Sequence, residues 1–497
     1  MTADATVPGT AVGGLATDVL LPEGGGPFPA VLIRTPYDRT RHRAEARGWA
    51  RHGFAVVVQD VRGRFASPGE WHPYRDEAVD GAAAVRWLRR QPWSDGRVLA
   101  AGASYAAHCA LVPALAAHAA DRPDAVLAAV PALGAADTAR EPSGVERLLA
   151  RAGWWAAHGD RPDSDDGALD KALTADPGLL THLPLTRLPE RLGRNLPSWA
   201  ALWRHRDRGL LLARAARADV PLLAVGGHHD PFAEDTHALW RAWGGPSARL
   251  LAGPWGHGLV SAPGPGARAA HRVDLGRLYV RWARRALAGD LTPGHGGAVA
   301  LGGADLWLPA GTDGEPRTQR TRPLHGAAFT ADPDRPVRSD DLTVPTGGPP
   351  DRCLLVTAPL PRPLDVAGPV HVTLRASAGT PSADWFARLV ALTPAGRAER
   401  LAVGTVRRSG PADRTAAFGI GLGRLVRRLP AGTRLRLEIA GHHFPAHARN
   451  PHTGQDPITV ERLTASRREV DTDSVTLRLP VLPARPTRTD PAEEILR

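Results

Sequence analysis

Six short apolar runs in the first half of the chain limit its fold more than any other feature. They are "FPAVLIR" (Phe28 to Arg34), "FAVVVQD" (Phe54 to Asp60), "RVLAA" (Arg97 to Ala101), "AVLAAV" (Ala125 to Val130), "VPLLAV" (Val220 to Val225) and "ARLLAG" (Ala248 to Gly253). Continuous apolar strands separated by helical patterns indicate a parallel sheet covered on both faces. "EAVDGAAAVRWLRRQ" fits one covering helix, with Val79, Ala83, Arg86 and Trp87 at helical spacing. "VDLGRLYVRWARRALAG" fits another, with Leu275, Leu278, Tyr279 and Trp282 on one face and Gly289 as its stop.

The alternation breaks between about Leu133 and Ala218, a stretch that carries Trp154, Trp155, Trp199 and Trp203. It reads as a helical insertion over the sheet. After Asp290 the texture changes again. Turn-rich stretches such as "PAGTDGEP" and "VPTGGPPDR" separate short runs such as "VHVTLRAS", "FARLVALT" and "TRLRLEIAG". That pattern predicts an antiparallel sandwich. The expected organisation is an α/β domain in two parts (residues 1–132 and 219–290), a helical cap (133–218) and a C-terminal all-β sandwich (291–497).

In a parallel sheet, reactive groups gather beyond the carboxyl ends of the strands. After Arg97 to Ala101 comes Gly102-Ala103-Ser104-Tyr105-Ala106. This approximates the G-x-S-x-G turn that lifts a nucleophilic serine from a strand into a helix, with Ala106 at the trailing glycine. Asp230 follows the run ending at Val225, and His257 follows the run ending at Gly253. The order Ser, Asp, His is that of an α/β-hydrolase. Ser104 is expected to attack a carbonyl carbon, His257 to shuttle the proton and Asp230 to orient the imidazole. The Tyr105 backbone N–H and the Tyr37 hydroxyl, from the loop after the first run, are the candidate oxyanion donors.

These residues resemble a known family. "RTPYDR", "GFAVVVQDVRGRFASPGEWHPYRDEAVDG", "QPWSDGRVLAAGASY", "GHHDPF" and "GPWGHG" look like the cocaine-esterase-like hydrolases, related to the X-Pro dipeptidyl-peptidases. The resemblance covers most of the chain. It implies Ser104, Asp230 and His257 as the triad, Tyr37 and Tyr105 at the oxyanion, a helical cap and a C-terminal jelly roll. "PLDVAGPVHVTLRAS", "SADWFARLVAL" and "HHFPAHARNPHTG" resemble that last domain more loosely. The family's elbow reads G-x-S-Y-x-G, whereas this chain has Ala107 at the last position. The packing of the elbow helix on its strand is the feature this departure leaves open.

The expected activity is hydrolysis of an ester or amide of a small molecule, with no cofactor. Removal of X-Pro from peptide N-termini and amino-acid ester hydrolysis or amide acylation stay open. An X-Pro peptidase needs an acid for the substrate's ammonium, and the cap offers Glu141, Glu146 and Asp160 among others. A carbohydrate-binding protein with an inert hydrolase half is the reading from another class.

Other groupings weigh less. His228, His229 and Asp230 could suggest a metal site, as could His442, His443, His447 and His452, but neither has the H-E-x-x-H spacing. His108 and Cys109 on the elbow helix read as buried structural residues. Asp60 and Arg62 read as organisers of the surrounding loops, through an ion pair or backbone hydrogen bonds. The four cap tryptophans could wall a pocket or fill the cap core. The net charge of +11 is almost all arginine, since Lys171 is the only lysine, and it is scattered rather than gathered into a basic patch. Neither nucleic acid nor a membrane is therefore an expected partner, and no run approaches the roughly 20 apolar residues of a membrane span. Two cysteines and a start without a basic-then-apolar pattern suit the cytoplasm. A homo-oligomer is left open.

Overall fold

Alternating strands and helices build the first half around one sheet. The computed structural model describes residues 6–345 and 347–497. The sheet has ten strands: β1 (Thr6–Val12), β2 (Leu15–Leu20), β3 (Phe28–Thr35), β4 (Ala55–Asp60), β5 (Ser94–Ala103), β6 (Ala125–Ala129), β7 (Leu222–Gly227), β8 (Ser247–Gly253), and, beyond a small hairpin of β9 (Trp255–Gly256) and β10 (Leu259–Pro263), β11 (Gly294–Ala300) and β12 (Trp307–Pro309). Their order is β1-β2-β4-β3-β5-β6-β7-β8-β11-β12. From β4 to β11 all neighbours are parallel. The outer pairs are antiparallel. This is the α/β-hydrolase fold.

Helices α1 (Arg43–Ala50), α2 (Glu77–Arg89) and α3 (Tyr105–Leu111) follow the early strands. The cap holds α4 (Ala135–Ala139), α5 (Leu148–His158), α6 (Ala168–Ala175), α7 (Leu188–Arg191), α8 (Pro197–Leu202) and α9 (Leu210–Ala215). Then come α10 (Ala233–Ala242), α11 (Leu275–Ala288) and α12 (Pro491–Leu496). Side chains of a strand alternate between faces, so Val56 and Val58 pack with Trp49 and Trp282 on one side of the sheet. Ala55 and Val57 pack with Val85 and Leu88 of α2 on the other. Helix α11 is capped by Asp274, which accepts from the Arg277 N–H, and ends on Gly289 in the left-handed region, as its sequence predicts. The expected face of α2 is wrong by nearly half a turn. Its buried residues include Gly81, Ala84, Val85 and Leu88, whereas Val79 is 72% exposed. Small residues seat this helix, and hydropathy periodicity does not register them.

The sheet also runs past residue 290, where the sequence reading ended it. β11 and β12 are its last two strands, and α12, from the other end of the chain, buries Ile495 and Leu496 in the same core. Beyond them lie β13 (Glu315–Gln319), β14 (Thr321–His325), β15 (Ala328–Ala331), β16 (Arg352–Thr357), β17 (Leu364–Ala378), β18 (Ser382–Leu392), β19 (Ala398–Ser409), β20 (Ala416–Leu429), β21 (Arg434–Ala440) and β22 (Ser466–Val481). They form two five-stranded antiparallel sheets, β13-β22-β17-β20 with β15 beside β22, and β14-β16-β21-β18-β19. Their shared core takes alternate residues of β17, Val370, Val372, Leu374 and Ala376, with Leu389 of β18 and Leu437 of β21. Among the described residues, no helix is long and apolar enough to cross a membrane.

Candidate active site

Ser104 stands between β5 and α3 with φ 58° and ψ −121°. A non-glycine residue in that region is strained, and here the strain lifts the side chain off the sheet edge. The turn closes because Gly102 has no side chain. A Cβ there would lie 2.3 Å from the backbone carbon and oxygen of Ala106. The alanines that stand where the elbow pattern has glycine are both fully packed. Ala106 is 1% exposed and Ala107 0%, and Ala107 joins Ala100, Leu111 and Ala128 in the core. The methyl groups have room, so the elbow keeps its shape.

Asp230 and His257 are brought together by two strand ends that nearly touch. His228 and His229 donate backbone N–H bonds to the carbonyls of Gly253 and Trp255, at 2.8 and 2.9 Å. Gly227 permits this approach, since a Cβ there would meet the Trp255 carbonyl oxygen at 2.2 Å. His257 sits in the turn between β9 and β10, and its Nδ1 lies 2.5 Å from Asp230 Oδ2. The Asp230 carboxylate is fully buried and also accepts the Phe232 N–H, at 2.6 Å. The imidazole is 45% exposed, which leaves its far side open to solvent and substrate. Among the described residues, His257 is hydrogen-bonded to Asp230 and not to Ser104.

Tyr37 follows β3, beside the elbow. Its hydroxyl oxygen accepts from the Trp154 indole N–H at 3.1 Å and is hydrogen-bonded with Ser104. Burial pushes its pKa up, against these two bonds. An indole can only donate, so the phenol keeps its own proton to give. The Tyr105 side chain points away into the core. It donates to the buried Glu77 carboxylate and accepts from the Tyr74 N–H at 2.6 Å. This leaves its backbone N–H at the start of α3 as the part that faces the elbow. Arg64 fastens the Tyr37 loop to the cap. Wholly buried, it donates to the carbonyls of Pro36, His158 and Asp163, at 2.9, 3.1 and 2.7 Å, and burial lowers its pKa to about 10.

The cap tryptophans serve as core residues, and Trp154 packs on two cores at once. Trp155, Trp199 and Trp203 fill the cap core. Trp154 packs against the elbow cluster of Trp71, Tyr105, Cys109, Tyr37 and Tyr74. His108 is buried, edge-on to Tyr74 at 4.9 Å, and burial lowers its pKa to about 4. Cys109 is buried beside it, its thiol pushed up by burial. Asp60 and Arg62 are not paired with each other. Asp60 takes the Arg39 guanidinium at 2.6 Å, and Arg62 takes Asp80 at 2.5 Å.

The three cap acids are engaged elsewhere. Glu141 binds Arg147 and His447 at 2.8 and 3.0 Å. Glu146 binds Arg140 and, at 2.7 Å, Arg407. Asp160 accepts the Ser198 hydroxyl at 2.6 Å. His442 and His443 lie in a loop and pair off with His452 and His447, ring centroids 5.3 and 5.4 Å apart. His228 and His229 hold the carbonyls of Ala300 and Pro265. Among the described residues, no three His, Cys, Asp or Glu side chains converge to hold a metal.

Sequence reasoning missed Arg151. It is 6% exposed, on α5 one turn before Trp154. The signal lay in "LLARAGWWAAH", where a charged residue interrupts the apolar stripe of Leu148, Ala152 and Trp155.

An α/β-hydrolase sheet, a strained serine at its elbow and an Asp-His pair on the following strand ends define a hydrolase of the serine class. Residues 13–259 match the X-Pro dipeptidyl-peptidase (S15 family) model, and residues 298–476 match the X-Pro dipeptidyl-peptidase C-terminal non-catalytic domain. Cocaine esterase of Rhodococcus sp. (strain MB1 Bresler) is 27% identical, over 88% of this chain and 90% of that one. Two solved structures share the fold. An α-amino acid ester hydrolase aligns with TM-score 0.76 and 20% identity, covering 97% of this chain and 98% of its own. An aminopeptidase from a marine sediment archaeon, Thaumarchaeota archaeon, aligns with TM-score 0.75 and 19% identity, over 94% of both chains. The chain is a serine hydrolase and belongs to the cocaine-esterase-like, X-Pro dipeptidyl-peptidase-like family.

Proposed function

We propose that this enzyme hydrolyses small-molecule esters or amides through an acyl-enzyme on Ser104, with Asp230 and His257 completing the triad. The 2.5 Å bond from His257 Nδ1 to a buried, otherwise satisfied Asp230 carries the reading. It fixes the tautomer that leaves Nε2 free as a base and stabilises the imidazolium. Ser104 Oγ gives its proton to Nε2 and bonds to the carbonyl carbon. The oxyanion takes hydrogen bonds from the Tyr105 N–H and the Tyr37 hydroxyl. The intermediate collapses, and the leaving group departs with the proton from His257. Water then repeats the sequence on the acyl-enzyme, releases the acid and restores Ser104.

An X-Pro peptidase needs a carboxylate free to hold the substrate's ammonium. Glu141, Glu146 and Asp160 are each bound to other side chains, which favours an ester or amide whose acyl part carries no ammonium. The test pairs p-nitrophenyl butyrate with Ala-Pro-p-nitroanilide, using Ser104→Ala as control. The expected result is turnover of the butyrate alone, lost in the variant. Turnover of the anilide would reassign the enzyme as a peptidase. Inertness toward both, with no fluorophosphonate labelling of Ser104, would overturn the mechanism and favour the carbohydrate-binding reading.

A further inference from the structure

One charged side chain beside this site has no counter-charge. Arg151 is buried, and its Nε is enclosed without a hydrogen-bond partner. The guanidinium carbon stands 5.9 Å from the centre of the Trp154 ring, and Trp154 holds the Tyr37 hydroxyl. Its hydrogen-bond partner is the hydroxyl of Tyr74, a member of the elbow cluster. The titratable groups facing it are the phenols of Tyr74 and Tyr37 and the guanidinium of Arg147.

The neighbouring arginines show what is absent. Arg147, one turn earlier on the chain, is held by both oxygens of Glu141. Arg140 is held by Glu146. Among the described residues, Arg151 makes no ion pair. A buried guanidinium without an anion is unfavourable unless an anion arrives to meet it. Its five donors in a planar fork match a carboxylate in two-point geometry.

We propose that Arg151 is a specificity residue that binds a carboxylate at the far end of the substrate's acyl group. The substrate class is then a half-ester or half-amide of a dicarboxylic acid. Hydrolysis releases the diacid and an alcohol or amine. This rests on the acyl-hydrolase reading above, with the acyl chain lying between Ser104 and the aromatic cluster under the cap.

The experiment compares mono-p-nitrophenyl adipate, pimelate and suberate with the corresponding methyl p-nitrophenyl diesters, which keep the length and lose the charge. Expected is a preference for a charged member of about tenfold or more in kcat/KM, the scale of one charge-assisted hydrogen bond. Arg151→Met should collapse that ratio toward one, and Arg151→Lys should retain part of it. Turnover of the neutral diesters without preference for any charged one overturns the proposal and leaves the acyl-enzyme mechanism standing. So does a preference that persists in a folded Arg151→Met protein. Should that variant fail to fold, the wild-type ratio alone decides. Loss of turnover toward every ester would overturn the underlying mechanism instead.

Discussion

At the scale of single residues, the site depends on backbone as much as on functional groups. Tyr37 gives the sharpest functional prediction. Tyr37→Phe removes one proposed oxyanion donor and leaves the ring packing, so kcat should fall by about a hundredfold to a thousandfold with KM little changed. Steady-state kinetics on p-nitrophenyl butyrate checks this. Gly102 gives the sharpest structural one. The 2.3 Å approach of Ala106 is to backbone atoms, which cannot swing aside. Gly102→Ala should therefore distort the elbow, and fluorophosphonate labelling of Ser104 should disappear. Ala107→Gly tests the converse. It removes a buried methyl and lowers helix propensity, for a loss of about 1 kcal/mol, and it should leave activity in place.

At the scale of elements, the cap is gripped from both sides. Arg64 ties its 158–164 loop to the strand end that carries Tyr37. Phe444, Ala448 and Ile458, from a loop of the sandwich, complete the cap core. Ions reinforce this second seam. Glu146 in the cap binds Arg407 of β19, which also binds Asp384 of β18. Glu141 meets His447 across the same boundary. Burial alone would raise the Glu141 carboxyl, and the Arg147 charge with the His447 bond more than reverses this. Removing one partner of a buried ion cluster strands the others. Glu146→Ala, which leaves Arg140 buried without its acid, should cost about 3–5 kcal/mol. A denaturant titration measures it, and a loss under about 1 kcal/mol would show that the seam holds by packing alone.

At the scale of the whole molecule, buried histidines set the response to acid. Burial lowers His108, His158 and His452 to about 4 and His228 to about 3. In the unfolded chain such groups titrate near about 6.5. The folded state thus binds fewer protons between these values, and stability rises with pH across that window. Lowering the pH from neutral toward 4 should lower the melting temperature steadily, beginning below about 6.5, before the ordinary carboxylate range is reached. The buried Glu141 and Glu146, held below their usual range by arginines, add a further loss at lower pH. Thermal melts from pH 8 to pH 4 check the onset. A flat profile down to pH 5 would contradict it.

The sequence alone determined what depends on local pattern. The apolar runs became β3 to β8, and Gly289 ended α11 where predicted, because strand burial and helix capping are written within a few residues of one another. The order of Ser104, Asp230 and His257 after the third, fifth and sixth runs was also legible, since the carboxyl end of a parallel strand is a fixed place in such a sheet. Only the tertiary structure decided what depends on distant partners. It turned α2 onto its small residues, drew β11, β12 and α12 into the first domain, and engaged Glu141 and Glu146 with arginines or histidines far along the chain. It left Arg151 beside Trp154 without an acid. Charge balance in a buried site is a sum over groups that meet only on folding, and no spacing along the chain records it.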